Sequence, residues 1–238
     1  MNNSWGIKII MIVALALLIL AGTGAAVSLS NSGGGTWKYQ REISIKENSG
    51  TALTDYQVMI ELKGADFPVE AKSDGADVRF TDSNGNELNY WIESWDHAGK
   101  NAKIWVKVPS ISTSAVSIIR MYYGNPTSTS SSNGDMTFEF FDGFSGTTID
   151  STKWNVVGSG ISQNNELLIN VDSPSWGHYV SSKNAFAAPI VIDAKIQTSY
   201  SGTSYWVGGL SYGSVETTEN DYFIAFTSTS PPQGKLRW

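Results

Sequence analysis

The sequence predicts an all-β protein of two β-sandwich domains behind an apolar leader, and three observations carry that reading. Charged residues are only 16% of a chain that is 41% hydrophobic and 12% aromatic, a mixture suited to half-buried strands and many turns. Short apolar runs recur between Gly-, Ser-, Thr- and Asn-rich punctuation, and no segment shows sustained helical periodicity. At 238 residues there is room for one large or two medium domains. The net charge of −6 argues against nucleic acid as a partner, because phosphate neutralisation needs a concentrated basic surface. The chain has no cysteine, which excludes disulfide staples, thiolate zinc sites and a cysteine nucleophile.

Residues 1–27, "MNNSWGIKIIMIVALALLILAGTGAAV", carry one lysine and then an unbroken apolar run from Ile9 to Leu20. This is the order of an export signal, with Ala25 or Ala26 as cleavage positions. An uncleaved membrane anchor is the rival reading, since nothing from Ile9 to Val27 is charged and a span needs roughly 20 residues. Gly22, Thr23 and Gly24 weaken the far end and favour cleavage. Either reading expects a hydrophobic leader helix and places everything after residue 30 outside the cytoplasm, secreted or anchored at the cell surface. Residues 28–36, "SLSNSGGGT", form a flexible tether.

The first domain is expected over 37–135, where "REISI", "YQVMIEL", "DVRFTD", "LNYWIES", "KIWVKV" and "VSIIRMYYG" read as strands. The patch "NPTSTSSSNGD" at 125–135 marks a boundary or a long surface loop. The second domain, 136–238, holds "TFEFFDGFS", "ELLINV", "HYVSS", "IVIDAKIQT", "SYWVGGLSY" and "YFIAFT". In "IVIDAKIQT", Ile190, Ile192, Ala194 and Ile196 share one face of a strand whose other face is wet. The final "PPQGKLRW" begins a strand and stops, so this domain is expected to be truncated.

The stretch "RFTDSNGNELNYWIESW" fixes the phase of two strands. A three-residue loop, Ser83-Asn84-Gly85 with Gly85 left-handed, pairs Phe80 with Leu88 and Val78 with Tyr90, keeping apolar residues together. A slip of one residue would invert every side chain. Leu88, Tyr90 and Ile92 then face the core, and Trp91, Glu93 and Trp95 face outward. In "KIWVKV", Ile104, Val106 and Val108 go in, while Lys103, Trp105 and Lys107 go out. Three indoles thus share a face with Glu93 and two lysines. Flat indoles flanked by polar groups suit sugar rings; the competing readings are docking of the next domain or a subunit, or a cover from within the same domain.

The pieces "WKYQREISI", "LTDYQVMIEL", "DGADVRFTDSNGNELNYWIESWD", "IWVKVPSI" and "MYYGNP" make residues 36–141 resemble an uncharacterised extracytoplasmic β-domain family, numbered 2341 among the domains of unknown function. The resemblance implies a β-sandwich of secreted or surface proteins of archaea and bacteria. The family has no agreed activity, so no catalytic residue is carried over. Residues 140–238, through "FFDGFSGTTIDSTKWNVVGSGISQNNELLINV", "VIDAKIQT" and "YWVGGLSY", resemble the start of a concanavalin A-like lectin/glucanase domain, which implies an incomplete jelly roll. The Glu-x-Asp-x-x-Glu strand of the glycosidase members is absent.

No complete catalytic constellation appears. Glu93 and Asp96, three apart, are expected on opposite sides, and Glu219 and Asp221 lie in a polar turn-like run. "DSNGNE" departs from a calcium loop, since Glu87 stands where the pattern needs glycine. Asp74 and Asp77 read as a solvated turn. His97 and His178 are the only histidines and fall in different domains, leaving little for a metal site or a triad. No catalytic residue, metal site or cofactor is expected. The function expected is an exported binding module for carbohydrate or cell-envelope polymer. Its candidate ligand residues are Trp91, Glu93, Trp95 and Trp105, with Trp176, His178 and Tyr205 in the second domain. The alternatives are a structural or adhesive protein whose Trp face docks a neighbouring domain or subunit, and the N-terminal part of a glycoside hydrolase.

Overall fold

The computed structural model describes residues 7–10, 15–22, 29, 35–113, 115–170, 177–187, 190–196, 208–212, 222–227 and 233–237. Its strands are β1 (Ile7–Ile10), β2 (Leu15–Gly22), β3 (Tyr39–Glu47), β4 (Leu53–Lys63), β5 (Arg79–Asp82), β6 (Tyr90–Asp96), β7 (Asn101–Ile111), β8 (Ser117–Tyr123), β9 (Phe141–Asp142), β10 (Trp154–Val157), β11 (Ile161–Gln163), β12 (Leu167–Ile169), β13 (Tyr179–Ser182), β14 (Val191–Asp193), β15 (Gly208–Tyr212), β16 (Tyr222–Thr227) and β17 (Gln233–Arg237). A one-turn helix, α1 (Gly134–Thr137), precedes β9. The chain forms two compact units, 1–145 with 186–193, and 146–185 with 194–238.

In the first unit a sheet of order β2-β3-β8-β5 packs on a sheet of order β4-β7-β6. The pattern of the strands produces this sandwich directly. Ile43 and Ile45 of β3, Ile119 and Met121 of β8 and Phe80 of β5 meet Val58, Ile60 and Leu62 of β4 and Ile104 and Val106 of β7 in one buried cluster. Each fully buried aliphatic side chain contributes about 1.5–3 kcal/mol relative to exposure, so this double layer dominates the stability of the unit. A smaller sheet, β14-β1-β9, belongs to the same unit.

The turns are set by specific groups. Gly85 takes φ +88, Asp82 N–H donates to Asn86 O at 2.9 Å, and Leu88 N–H donates to Phe80 O at 2.9 Å. This is the three-residue loop and the Phe80–Leu88 register that the hydrophobic pattern demands. Asp82 organises it by accepting from the N–H groups of Asn84 and Asn86 and from the Asn86 side chain. Burial raises the Asp82 pKa, but the Asn86 side chain and the loop amides outweigh that and hold its carboxyl below the ordinary range. The β3–β4 turn is built similarly: Glu47 accepts from the N–H groups of Ser49, Gly50 and Thr51. The Ser49 hydroxyl and these amides lower its pKa.

The leader departs from expectation. Where a hydrophobic helix is predicted, the described residues are extended, and β2 lies antiparallel on β3 from Leu15 opposite Glu47 to Gly22 opposite Gln40. A short apolar run carries no period that separates a buried strand from a buried helix, and here the open edge of β3 takes up its backbone groups. No helix among the described residues is long and apolar enough to cross a membrane.

The second unit is described as antiparallel pairs, β10 with β13 and β11 with β12, and a meander β15-β16-β17. Trp154 is buried within it.

Candidate functional site

The outer face of the β4-β7-β6 sheet is where the sequence places its indoles. The alternation holds through Ile92: Tyr90 lies opposite Val106 and Ile92 opposite Ile104 on the core face, while Trp91 lies opposite Trp105 on the outer face. A β-bulge then interrupts the register between Ile92 and Ser94, so Ser94 opposes Lys103 and Trp95 opposes Ala102. One extra residue re-aims everything after it. Trp95 therefore turns to the core face, which corrects the expectation that it points outward. Its ring packs on Phe67 at 4.9 Å between centroids, and Phe67 also meets the His97 ring edge-on at 5.5 Å. Trp95 Nε1 is buried without a hydrogen-bond partner, and His97 Nε2 lies 3.1 Å from Val69 O. The same bulge puts Asp96 on the outer side with Glu93, where opposite sides are expected.

The two indoles that stay on the outer face are not open to solvent. Trp91 is 6% exposed and Trp105 8%. The cover is a strap formed by α1, β9 and the residues between them. Phe138 meets Trp91 at 5.8 Å and Trp105 at 5.6 Å, Phe141 meets Trp91 at 4.8 Å, and Val191 packs against the same cluster. Edge-to-face pairs of this kind add about 0.5–1.5 kcal/mol each beyond area burial. The strap is seated by polar contacts along the edge of β6. Asn133 N–H donates to Tyr90 O and Ile92 N–H to Ser132 Oγ, both at 2.8 Å. Asn133 also caps α1 by accepting from Met136 N–H. Gly134 is required by close approach, since a Cβ there would strike the Phe141 ring.

Glu93, 8% exposed, is the polar member of the cluster. Its Oε2 accepts from Trp105 Nε1 at 2.6 Å and its Oε1 lies 3.2 Å from Lys103 Nζ. A carboxylate this deep is tolerable only when paired and hydrogen-bonded, and both conditions hold. The arrangement fixes the Trp105 ring and leaves Glu93 committed within the protein.

Of the remaining sequence candidates, His178 lies in the second unit with its Nδ1 beside Ser159, 3.0 Å from the backbone N and 2.9 Å from the carbonyl. Trp176 and Tyr205 lie outside the described residues, as do Glu219 and Asp221. Among the described residues no group of three or more His, Cys, Asp or Glu is placed to hold a metal ion.

Sequence reasoning missed the most heavily bonded polar cluster, Asp77 and Arg79. Asp77 is fully buried rather than a solvated turn residue. Its carboxylate accepts from the N–H groups of Lys72 (2.9 Å), Gly124 (2.7 Å) and Asn125 (3.0 Å), and its carbonyl accepts from Trp37 Nε1 at 2.6 Å. Arg79, 2% exposed, donates to the carbonyls of Ala76, Val78 and Thr129 and to Ser128 Oγ and Tyr90 Oη. Its guanidinium lies 5.5 Å from the Trp37 ring centroid. The segments "DGADVRF" and "MYYGNP", far apart in sequence, are thus tied together by one charge-assisted network. Its donors are satisfied within the protein, which makes it a fastening and not a reactive centre.

The family model described as "Domain of unknown function (DUF2341)" matches residues 74–157. That span opens just before Asp77 and Arg79 and includes Trp91, Glu93, Trp105, Phe138 and Phe141. No curated protein and no solved structure matches the chain.

Proposed function

We propose that this chain is an exported surface protein whose first unit is a structural module, with the Trp face serving as an internal docking surface for the strap. One observation carries this reading: Trp91 and Trp105 are buried beneath Phe138 and Phe141 instead of standing free. Stacking on a sugar ring needs an accessible indole face, and the one acid beside these indoles is already bonded to Trp105 and Lys103. The apolar leader of residues 1–27 supports export, and the match to residues 74–157 is compatible with a module that has no assigned chemistry. The second unit reads as a concanavalin A-like lectin domain, supported by the stretch "GTTIDSTKWNVVGSGISQNNELLINV" and by its antiparallel strands.

The test is titration of the protein with cell-envelope polysaccharides while Trp fluorescence is followed, together with limited proteolysis of Phe138→Ala. A docking face gives no quenching that Trp91→Phe or Trp105→Phe alters, and Phe138→Ala gives new cleavage within 124–145 while the sandwich survives. Saturable quenching that Trp91→Phe removes from a folded protein makes the face a ligand site and ends the proposal.

A further inference from the structure

We infer that the outer edge of β4 is a self-association site whose occupant is a second copy of this chain. Among the described residues β4 pairs only with β7 and ends its sheet. The opposite edge, β6, is covered by Ser132 and Asn133 through the bonds to Ile92 and Tyr90. Among the described residues no segment does the same for β4, although it is eleven residues long. Edges of that length are normally paired or blunted.

The direction of its peptide groups follows from β7. Lys107 N–H donates to Asn89 O, so the odd-numbered residues of β7 turn their peptide groups toward β6. Their partners across the other ladder are Gln57 opposite Lys107, Met59 opposite Trp105 and Glu61 opposite Lys103. These three must turn their N–H and C=O groups away from the sheet. At the start of the strand Asp55 takes φ +49, and its carbonyl already accepts from Gln57 Nε2 at 3.0 Å, which ends the backbone ladder at Gln57 and leaves Asp55 only its side chain to offer.

The side chains select the partner. Antiparallel pairing of β4 with its own copy about Met59 sets Met59 against Met59, Gln57 against Glu61 and Asp55 against Lys63. Met59 is 42% exposed, so the centre gains an apolar contact. The Gln57 amide meets the Glu61 carboxylate, and Lys63, which pairs with Glu61 of its own chain at 2.9 Å, also faces the Asp55 side chain of the copy at either end. Neighbouring registers do worse. Centring on Glu61 puts like charges face to face, and centring on Gln57 puts Met59 against Asp55. The geometry is isologous, each copy giving and receiving the same contacts, and it closes at a dimer with one continuous sheet.

The full chain is examined by mass-detected size exclusion over a dilution series, and a monomer–dimer equilibrium is expected. Met59→Pro removes the central N–H on an edge where proline is tolerated, and association weakens at least about tenfold. Because the chain has no cysteine, the register is read separately by cross-linking. Met59→Cys forms a disulfide-linked dimer on mild oxidation, Asp55→Cys alone does not, and mixed Asp55→Cys and Lys63→Cys chains do. A wild-type chain that stays monomeric at every concentration, or Asp55→Cys linking to itself as fast as Met59→Cys, overturns the proposal.

Discussion

The two faces of the β6–β7 ribbon are buried by different means. The inner face carries Tyr90, Ile92, Ile104, Val106 and Val108 and is closed by a whole sheet. The outer face carries Trp91 and Trp105 and is closed by a strap with one helical turn, two phenylalanines and a few hydrogen bonds. The inner seal is broad, apolar and continuous, so it opens only when the unit unfolds. The outer seal is narrow and aromatic, with a charged group beneath it, and it can open while the sandwich stands. Large indole area on an exposed sheet face thus need not advertise a ligand; a short downstream segment suffices to cover it.

The largest expected effect tests the inner seal. Ile104→Ala empties a fully buried position and lowers unfolding free energy by about 4 kcal/mol, measured by urea denaturation, with amide exchange accelerated across both sheets. Phe138→Ala costs about 3 kcal/mol, but its signature is local: the amides of Ile92 and Asn133 exchange faster while those of β3 and β8 keep their protection. Uniform acceleration in this variant would erase the distinction between the faces. Glu93→Gln keeps an acceptor for Trp105 Nε1 and removes the negative charge that pairs with Lys103, so it costs about 1 kcal/mol with little change in Trp emission. The smallest effect lies in the turns. Glu47 and Asp82 have folded-state pKa values below their ordinary ones, so each adds stability at neutral pH that disappears as pH falls through the acid range. Melting temperature should therefore decline below the ordinary carboxylate range, and less steeply in Glu47→Gln.

How much of this was legible in the sequence depends on distance along the chain. The loop at Ser83–Gly85, the Phe80–Leu88 register and the inward row Ile104, Val106, Val108 follow from period-two patterning, which is local. The bulge after Ile92 left no such trace, because "YWIESW" alternates cleanly on paper; only the pairing with β7 shows that Trp95 has crossed to the core side. The strap was unreadable for the same reason. "TFEFF" sits beyond a Ser- and Asn-rich patch that reads as a boundary, yet Asn133 and Ser132 in that patch are bonded to β6. Asp77 looked like a turn acid because its donors, the amides of Gly124 and Asn125, lie far along the chain. Patterning reports what a residue's neighbours are doing; the bulge is set by the strand it pairs with, and the strap and Asp77 answer to partners tens of positions away.

Chain order gives the strap a timing role. During synthesis from the N-terminus, β3 through β8 emerge before Phe138, so the indoles of Trp91 and Trp105 wait uncovered while the first layers assemble. In that interval the nascent module presents a sticky aromatic surface, and the arrival of a few downstream residues ends its exposure. A ribosome stall or truncation just short of residue 138 would release a chain with a complete inner core and an unsealed exterior, prone to clump although its fold is otherwise finished.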